Sequence, residues 1–249
     1  MEETKQQFPT EEITLPSKGL LYPTSSPLNK GTIEMKYMTA REEDILTNQN
    51  YIENGTVIDK LLQSLIITPI DYNELLLGDK NAVLVAARIL GYGADYSFEY
   101  KGESTTVNLT DINDKLLDES LIEEGKNEFN FILPTSKVNI TYKFLTHGDE
   151  QKIDREIKGL KKLNKKSSSS VSTRMKYILT SVNNDYEQKA IREFVDTQLL
   201  AIDSRALRNH ISEIQPNVDL TFDFENRRGD IERIDIPIGL QFFWPDASI

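Results

Sequence analysis

The chain has 249 residues, of which 38% are hydrophobic, and carries a formal net charge of -11 with no cysteine. That is long enough for one large domain or two small ones with a proper core, and it excludes disulfides, thiolate nucleophiles and Cys-ligated zinc. A strongly acidic balance argues against a general nucleic-acid surface, which needs clustered Lys and Arg. The start MEETKQQFPTEE lacks the basic patch and apolar run of a secretory signal, and no stretch approaches the roughly 18 apolar residues of a membrane span. No nucleic acid partner and no membrane insertion are expected, and synthesis is placed in a cytoplasm. Without secretion, the sequons at Asn108 and Asn139 carry no weight.

The first thirty residues hold four of the nine prolines, at Pro9, Pro16, Pro23 and Pro27, with Gly19 among them. Proline fixes φ and biases the preceding residue toward extended geometry, so residues 1–30 read as an extended arm leading to a strand over 32–38. Thr39-Ala40-Arg41-Glu42 fits a capping box and starts a short helix. A second helix opens at Thr56, with one broad apolar face at Val57, Ile58, Leu61, Leu62, Leu65 and Ile66. A third is read with Asp79 as its cap, running through Leu90 to a stop at Gly91.

From Tyr96 the period changes from helical to alternating. Tyr96, Phe98 and Tyr100, then Val107 and Leu109, then Phe129, Phe131 and Leu133, then Val138, Ile140, Tyr142 and Phe144 predict four strands. Gly148-Asp149 leads into an amphipathic helix with Ile153, Ile157 and Leu160 inward and basic residues outward. Lys165, Lys166 and Ser167 to Ser170 then read as a flexible linker. Helical spacing returns at Met175, Ile178, Leu179 and Val182, at Ile191, Phe194, Val195 and Leu199, and at Leu207, Ile211 and Ile214 behind a Ser204 cap, ended by Pro216. A last hairpin pairs the strand of Leu220, Phe222 and Phe224 with that of Ile234, Ile236 and Ile238 across the polar turn 226–230. It loosely resembles the hairpin over 96–109.

The expected fold is therefore α+β, with an N-terminal extended arm and helical block, antiparallel β-hairpins, central-to-C-terminal helices and a C-terminal hairpin. Its divisions are an arm (1–30), an α+β domain with antiparallel hairpins (31–146), and a helical segment (147–249) with a Ser-rich linker (165–170) and the last hairpin.

Little in the chain looks catalytic. The two histidines, His147 and His210, have no nucleophile or metal-ligand spacing around them, and read as a loop and a helix-surface residue. Gly78-Asp79-Lys80 and Gly91-Tyr92-Gly93 lack the spacing of a phosphate loop. With 40 acidic residues, carboxylate pairs arise by chance, and Arg228-Gly229-Asp230 is what a hairpin turn requires before it is an adhesion signal. No catalytic residue, cofactor or metal is expected.

Two features invite a partner. Between Lys152 and Lys176, nine basic residues stand against two acidic ones, a balance of +7 that leaves -18 on the rest of the chain. The outward residues Lys158, Lys161 and Lys162 suit either a solvated face or a dock for an acidic partner. Leu15, Leu20, Leu21 and Tyr22 sit in the proline-rich arm, and Phe242, Phe243 and Trp244 lie near the end, where they serve either the chain's own core or a partner's pocket. The expectation is that both terminal segments contact other proteins.

LPSKGLLYP (15–23), GTIEMKYMTAREEDILTN (31–48), GTVIDKLLQSLI (55–66), LLLGDKNAVLVAARILGYG (75–93) and FFWPD (242–246) together resemble the baseplate protein family of T4-like bacteriophages, which includes a baseplate hub subunit and a hub assembly protein. The likeness is dense over 13–100, returns at the C-terminus and is thin over 110–215. Some members would carry cysteine pairs in the turn after the Phe98-Glu99-Tyr100 strand; here the turn Tyr100-Lys101-Gly102-Glu103-Ser104 has none. The resemblance implies a non-enzymatic structural protein of a contractile tail, with other baseplate, hub and tail proteins as partners and a homo-oligomer within a symmetric assembly as one form. It places the chain in the bacterial host cytoplasm during assembly and then in the virion baseplate. The alternatives are an assembly factor that leaves before the virion matures, a tail-associated hydrolase, and a host-surface adhesin.

Overall fold

The computed structural model describes residues 9–115, 118–163, 170–226 and 228–243. The stretch read as an arm instead folds back on itself. β1 (Thr10–Thr14) pairs antiparallel with β2 (Thr32–Lys36), from Thr10 opposite Lys36 to Thr14 opposite Thr32. Between them, residues 15–31 form a compact loop closed by Leu15 N–H donating to the Gly31 carbonyl at 2.8 Å. Two glycines with φ of 78° and 72° make it: a Cβ on Gly19 would lie 2.3 Å from the Asn29 carbonyl oxygen, and one on Gly31 2.5 Å from that of Lys18. The prolines punctuate turns here, and the leucines between them point into the core.

α1 (Ala40–Leu46) begins as its capping box dictates, with the Glu42 carboxylate accepting from the Thr39 N–H at 3.0 Å and the Thr39 hydroxyl at 2.6 Å. α2 (Gln49–Glu53) is a single turn or so, and α3 (Val57–Leu65) buries Val57, Leu61, Leu62 and Leu65 along the expected face. α4 (Leu77–Tyr92) is buried on nearly every side, from Gly78 to Arg88. It starts before Asp79, so that residue is not its cap. The helix continues through Gly91, and it is Gly93, at φ 83°, that ends it. At its start a Cβ on Gly78 would lie 1.8 Å from the Pro216 carbonyl oxygen, so only glycine lets the two segments touch.

The four alternating stretches form β3 (Asp95–Tyr100) with β4 (Glu103–Asn108), and β5 (Phe129–Ile132) with β6 (Asn139–Tyr142), each pair antiparallel. α5 (His147–Leu163) and α6 (Ser170–Ile178) follow; the Ser-rich linker lies almost wholly outside the described residues, and Ser170 already belongs to α6. The helical spacing through Val182 is broken earlier than expected. Leu179–Val182 is β7, which pairs antiparallel with β6 and makes a three-stranded sheet in the order β5-β6-β7. An open sheet edge offers this short run a full set of backbone partners, and the left-handed pair Asn183-Asn184 then turns the chain away.

α7 (Gln188–Thr197) buries Ile191, Phe194 and Val195, and α8 (Ala201–Ile214) begins three residues before the expected Ser204 cap. β8 (Thr221–Glu225) and β9 (Ile231–Asp235) close the chain's last hairpin, which packs on β3 and β4: the Tyr100 and Phe224 rings lie 5.1 Å apart, and the Tyr96 hydroxyl donates to the Pro237 carbonyl at 3.0 Å. Its turn is organised by Asn226, whose Oδ1 accepts from the Arg228 and Asp230 backbone N–H groups at 2.8 and 3.1 Å. The expected α+β class stands, with helices and small antiparallel sheets as separate elements.

The expected boundary at 146/147 does not divide the core. One continuous hydrophobic cluster runs from Leu15 through α3, α4 and β6 to Ile153, Leu207 and Phe243. The backbone itself bridges the boundary, with His147 N–H donating to the Leu75 carbonyl, Lys115 N–H to the Asn217 carbonyl and Asp219 N–H to the Asn113 carbonyl, each at 2.8 Å.

Candidate functional site: a basic helix face and the cleft beside it

The loop 15–31 is locked to α4 by one carboxylate. Asp79, fully buried, accepts from the Ser17 N–H at 2.9 Å, the Ser17 hydroxyl at 2.7 Å and the Tyr22 hydroxyl at 2.6 Å. The Tyr22 oxygen in turn accepts from the Leu76 N–H at 2.9 Å, satisfying a free amide at the head of α4. Burial pushes the Asp79 carboxyl above its ordinary range against the pull of these donors, and burial followed by the Asp79 charge raises the Tyr22 phenol.

This placement overturns part of the partner expectation. Leu15, Leu21 and Tyr22 are at most 3% exposed, Leu20 is half-buried, and Phe242 and Phe243 are fully buried, with Phe242 edge-on to Tyr96 at 4.8 Å. Leu15, Leu21, Tyr22, Phe242 and Phe243 complete the chain's own core and do not stand out as anchors for another protein. The physical reason is closure: the loop's glycines and the Asp79 bonds fold its apolar residues inward, where a free arm would leave them in water. Trp244 lies outside the described residues.

Among the described residues, the basic helix keeps its outer face exposed. α5 buries Ile153 and half-buries Ile157 and Leu160, while Lys152, Arg155, Lys158, Lys161 and Lys162 are exposed along the opposite side. Its flanks are fixed by ion pairs that leave those five out. Glu150 takes both guanidinium nitrogens of Arg174 at 2.8 and 2.6 Å, and Glu156 takes both of Arg192 at 2.8 and 2.9 Å plus the Tyr177 hydroxyl at 2.8 Å. The Arg192 bonds hold the Glu156 carboxyl down at about 2. Asp149 pairs with Lys143 at 2.7 Å. The helix is thus oriented by its acidic residues pairing with Arg174 of α6 and Arg192 of α7, and its lysines project outward.

At the start of α5 the basic face borders an open cleft of about 590 Å³. Leu21, Tyr22 and Pro23 of the loop line one side, and Gln151, Lys152 and Arg155 the other, with Asn73 and Asn127 between them. The cleft's charged lining is mixed, with Glu74 beside Lys152 and Arg155.

A second cluster lies beneath this cleft. Asp59 accepts from Lys80 Nζ at 2.6 Å and the Tyr72 hydroxyl at 3.1 Å; Lys80 Nζ also lies 3.2 Å from His147 Nδ1, and His147 Nε2 is 3.6 Å from Asp59 and 2.9 Å from Gln151 Nε2. Lysine can only donate, so Nδ1 is the acceptor and the proton of the neutral ring sits on Nε2; the Gln151 amide must then be turned from the placement with its nitrogen at 2.9 Å so that its oxygen accepts. Burial and the Lys80 charge lower the histidine's pKa. His147 is therefore not a loop histidine but the nearly buried first residue of α5. Likewise His210 is half-buried and stacked on Phe131 at 4.7 Å. The Asp59–Lys80–His147 cluster thus links α3, α4 and α5.

Sequence reasoning gave Glu42 and Asp79 only capping roles and missed Asp59 and Lys80. One signal was present: an Asp inside the otherwise apolar run of α4 must be paired or hydrogen-bonded. Among the described residues no group of three or more His, Asp or Glu side chains could hold a metal ion, and no helix is long and apolar enough to cross a membrane. Comparison with protein-family models, with curated proteins and with solved structures returns no match.

Proposed function

We propose that the chain is a non-enzymatic structural component of the baseplate or hub of a contractile, T4-like phage tail, acting through protein–protein contacts. The observation that carries this reading is where the resembling segments go. LPSKGLLYP, GTIEMKY, the α3 segment and the α4 segment, together with Phe242 and Phe243, pack into one cluster around Asp79 and α4. A family likeness made of scattered short runs is expected to mark a shared scaffold when the runs meet in space, as these do. Sequence outside that scaffold, above all the exposed basic side of α5, is then the part free to specify a partner, and an acidic surface on a neighbouring tail protein fits it.

The test is genetic and morphological. In the phage that encodes the chain, loss of the gene is expected to leave heads intact while hub or baseplate assembly stops, visible by electron microscopy of lysates. Normal baseplates in its absence would contradict the proposal. Mass spectrometry of purified particles separates a resident subunit from an assembly factor that leaves.

A further inference from the structure

β5 is an outer strand of its sheet, and its free edge borders a groove of about 470 Å³. Leu133 N–H bonds Val138, while the Asn139 carbonyl and N–H bond Asn183, so alternate residues of β6 face β5 and β7. The backbone groups of Asn130 and Ile132 therefore point away from β6. The groove walls are Phe131, stacked on His210, with Leu121 and Ile132 standing out at 49% and 64% exposed. Beneath them the Tyr142 hydroxyl is buried without a hydrogen-bond partner. Glu123 and Glu128 flank the opening. They belong to the run 118–128, which has five acidic residues and one lysine; pairing with Lys18 and Lys126 offsets only part of that charge.

An aromatic and aliphatic wall with carboxylates at its rim suits a lysine, whose stem lies on apolar surface while its ammonium meets a carboxylate. The same chain presents such lysines on a rigid element: Lys158, Lys161 and Lys162 on α5, exposed and outside every ion pair described above. We propose that the groove at the β5 edge is the docking site for the α5 basic face of a second copy of this chain. Pairing of two β5 edges would bring Glu123 and Glu128 of each copy together, which like-charge repulsion disfavours. The face and the groove are different surfaces, so the contact is heterologous and repeats head to tail, closing into a ring or extending as a filament. The inference rests on reading α5 as a docking face and names the partner.

Sedimentation velocity on the whole chain tests it. In low salt, about 0.05 M, the mass should rise with concentration, and in about 0.5 M salt the association constant should fall tenfold or more. The variant K158E/K161E/K162E keeps only the groove, and E123K/E128K keeps only the face; each alone should remain monomeric with unchanged melting. Mixed in equal amounts, they should associate again, because the unaltered groove of the first accepts the unaltered face of the second, and the reversed groove of the second attracts the reversed face of the first. If E123K/E128K melts early, E123Q/E128Q should still weaken association of an otherwise wild-type chain tenfold or more. A wild-type chain that stays monomeric in low salt, a variant that associates as the wild type does, or a mixture that stays monomeric would overturn the proposal. None of these results bears on whether the chain enters baseplates, which the loss-of-gene experiment reads separately.

Discussion

The Asp79 carboxylate accepts three hydrogen bonds inside the core and forms no ion pair among the described residues. Removing it would strand the Ser17 N–H, the Ser17 hydroxyl and the Tyr22 hydroxyl together, and buried donors without acceptors are costly. Asp79→Ala should therefore lower the unfolding free energy by about 3 kcal/mol or more, and Tyr22→Phe by about 1–3 kcal/mol, in denaturant titrations. Losses below about 0.5 kcal/mol would mean that loop 15–31 does not depend on this carboxylate. Glu42 works in the opposite electrostatic sense. Burial alone would raise its carboxyl, but Lys36 at 2.8 Å, the Thr39 N–H and hydroxyl and the Ser64 hydroxyl at 2.8 Å outweigh burial and hold it at about 2. A carboxyl lowered on folding contributes stability that is complete above its ordinary value near 4.5 and is lost as pH falls toward about 2. The difference is on the order of 3 kcal/mol. Denaturant titrations of the wild type and Glu42→Gln across that range should show the variant lacking this part of the acid destabilisation; parallel curves would contradict it. The capping role of Glu42 was legible in the spacing Thr39 to Glu42. Its bonds to Lys36 and Ser64 were not, because they join β2 and α3 to α1 and have no sequence period.

At the scale of elements, periodicity located most helices and hairpins and failed where tertiary partners decide. α3, α5, α7 and the strand pairs β3–β4 and β5–β6 follow the spacing of their apolar residues. The run from Met175 to Val182 has helical spacing, yet β6 captures Leu179–Val182 as a third strand. The proline-rich start misled in a different way. Proline reports local φ and says nothing of where the neighbouring side chains point, so a loop closed by Gly19 and Gly31 was read as an arm. The energetic consequence can be measured. Phe242→Ala should cost about 3–5 kcal/mol of fold stability, the range for truncating a buried aromatic. Deletion of residues 1–24 removes β1 along with Leu15, Leu21 and Tyr22 from the core and should lower the melting temperature sharply. Unchanged melting in either variant would return these segments to partner binding.

At the scale of the whole molecule, charge and packing divide the labour. The segments that resemble the baseplate family are mostly inside, holding loop 15–31, α3 and α4 together, whereas five of the nine basic residues of 152–176 are exposed on α5. The exposed basic face was legible in sequence, because charge clustered at helical spacing opposite Ile153 and Ile157 has only one way to point. The cleft beside it was not, since its walls come from residues 21–23, 73 and 151–155, brought together only by the fold. An exposed face contributes little to folding and much to association, so the fold and the proposed function respond to different substitutions.

That separation gives the most direct measurement. If the chain is encoded by a phage, as proposed, baseplate and hub intermediates would be isolated by gradient sedimentation from cells infected with that phage carrying either the wild-type chain or K158E/K161E/K162E, and the chain in each fraction quantified by mass spectrometry. The account predicts that the wild-type chain co-sediments with hub or baseplate proteins, while the variant, melting at the wild-type temperature, stays in the unassembled fraction. A wild-type chain absent from every intermediate, or a variant that enters them at full occupancy, would contradict it.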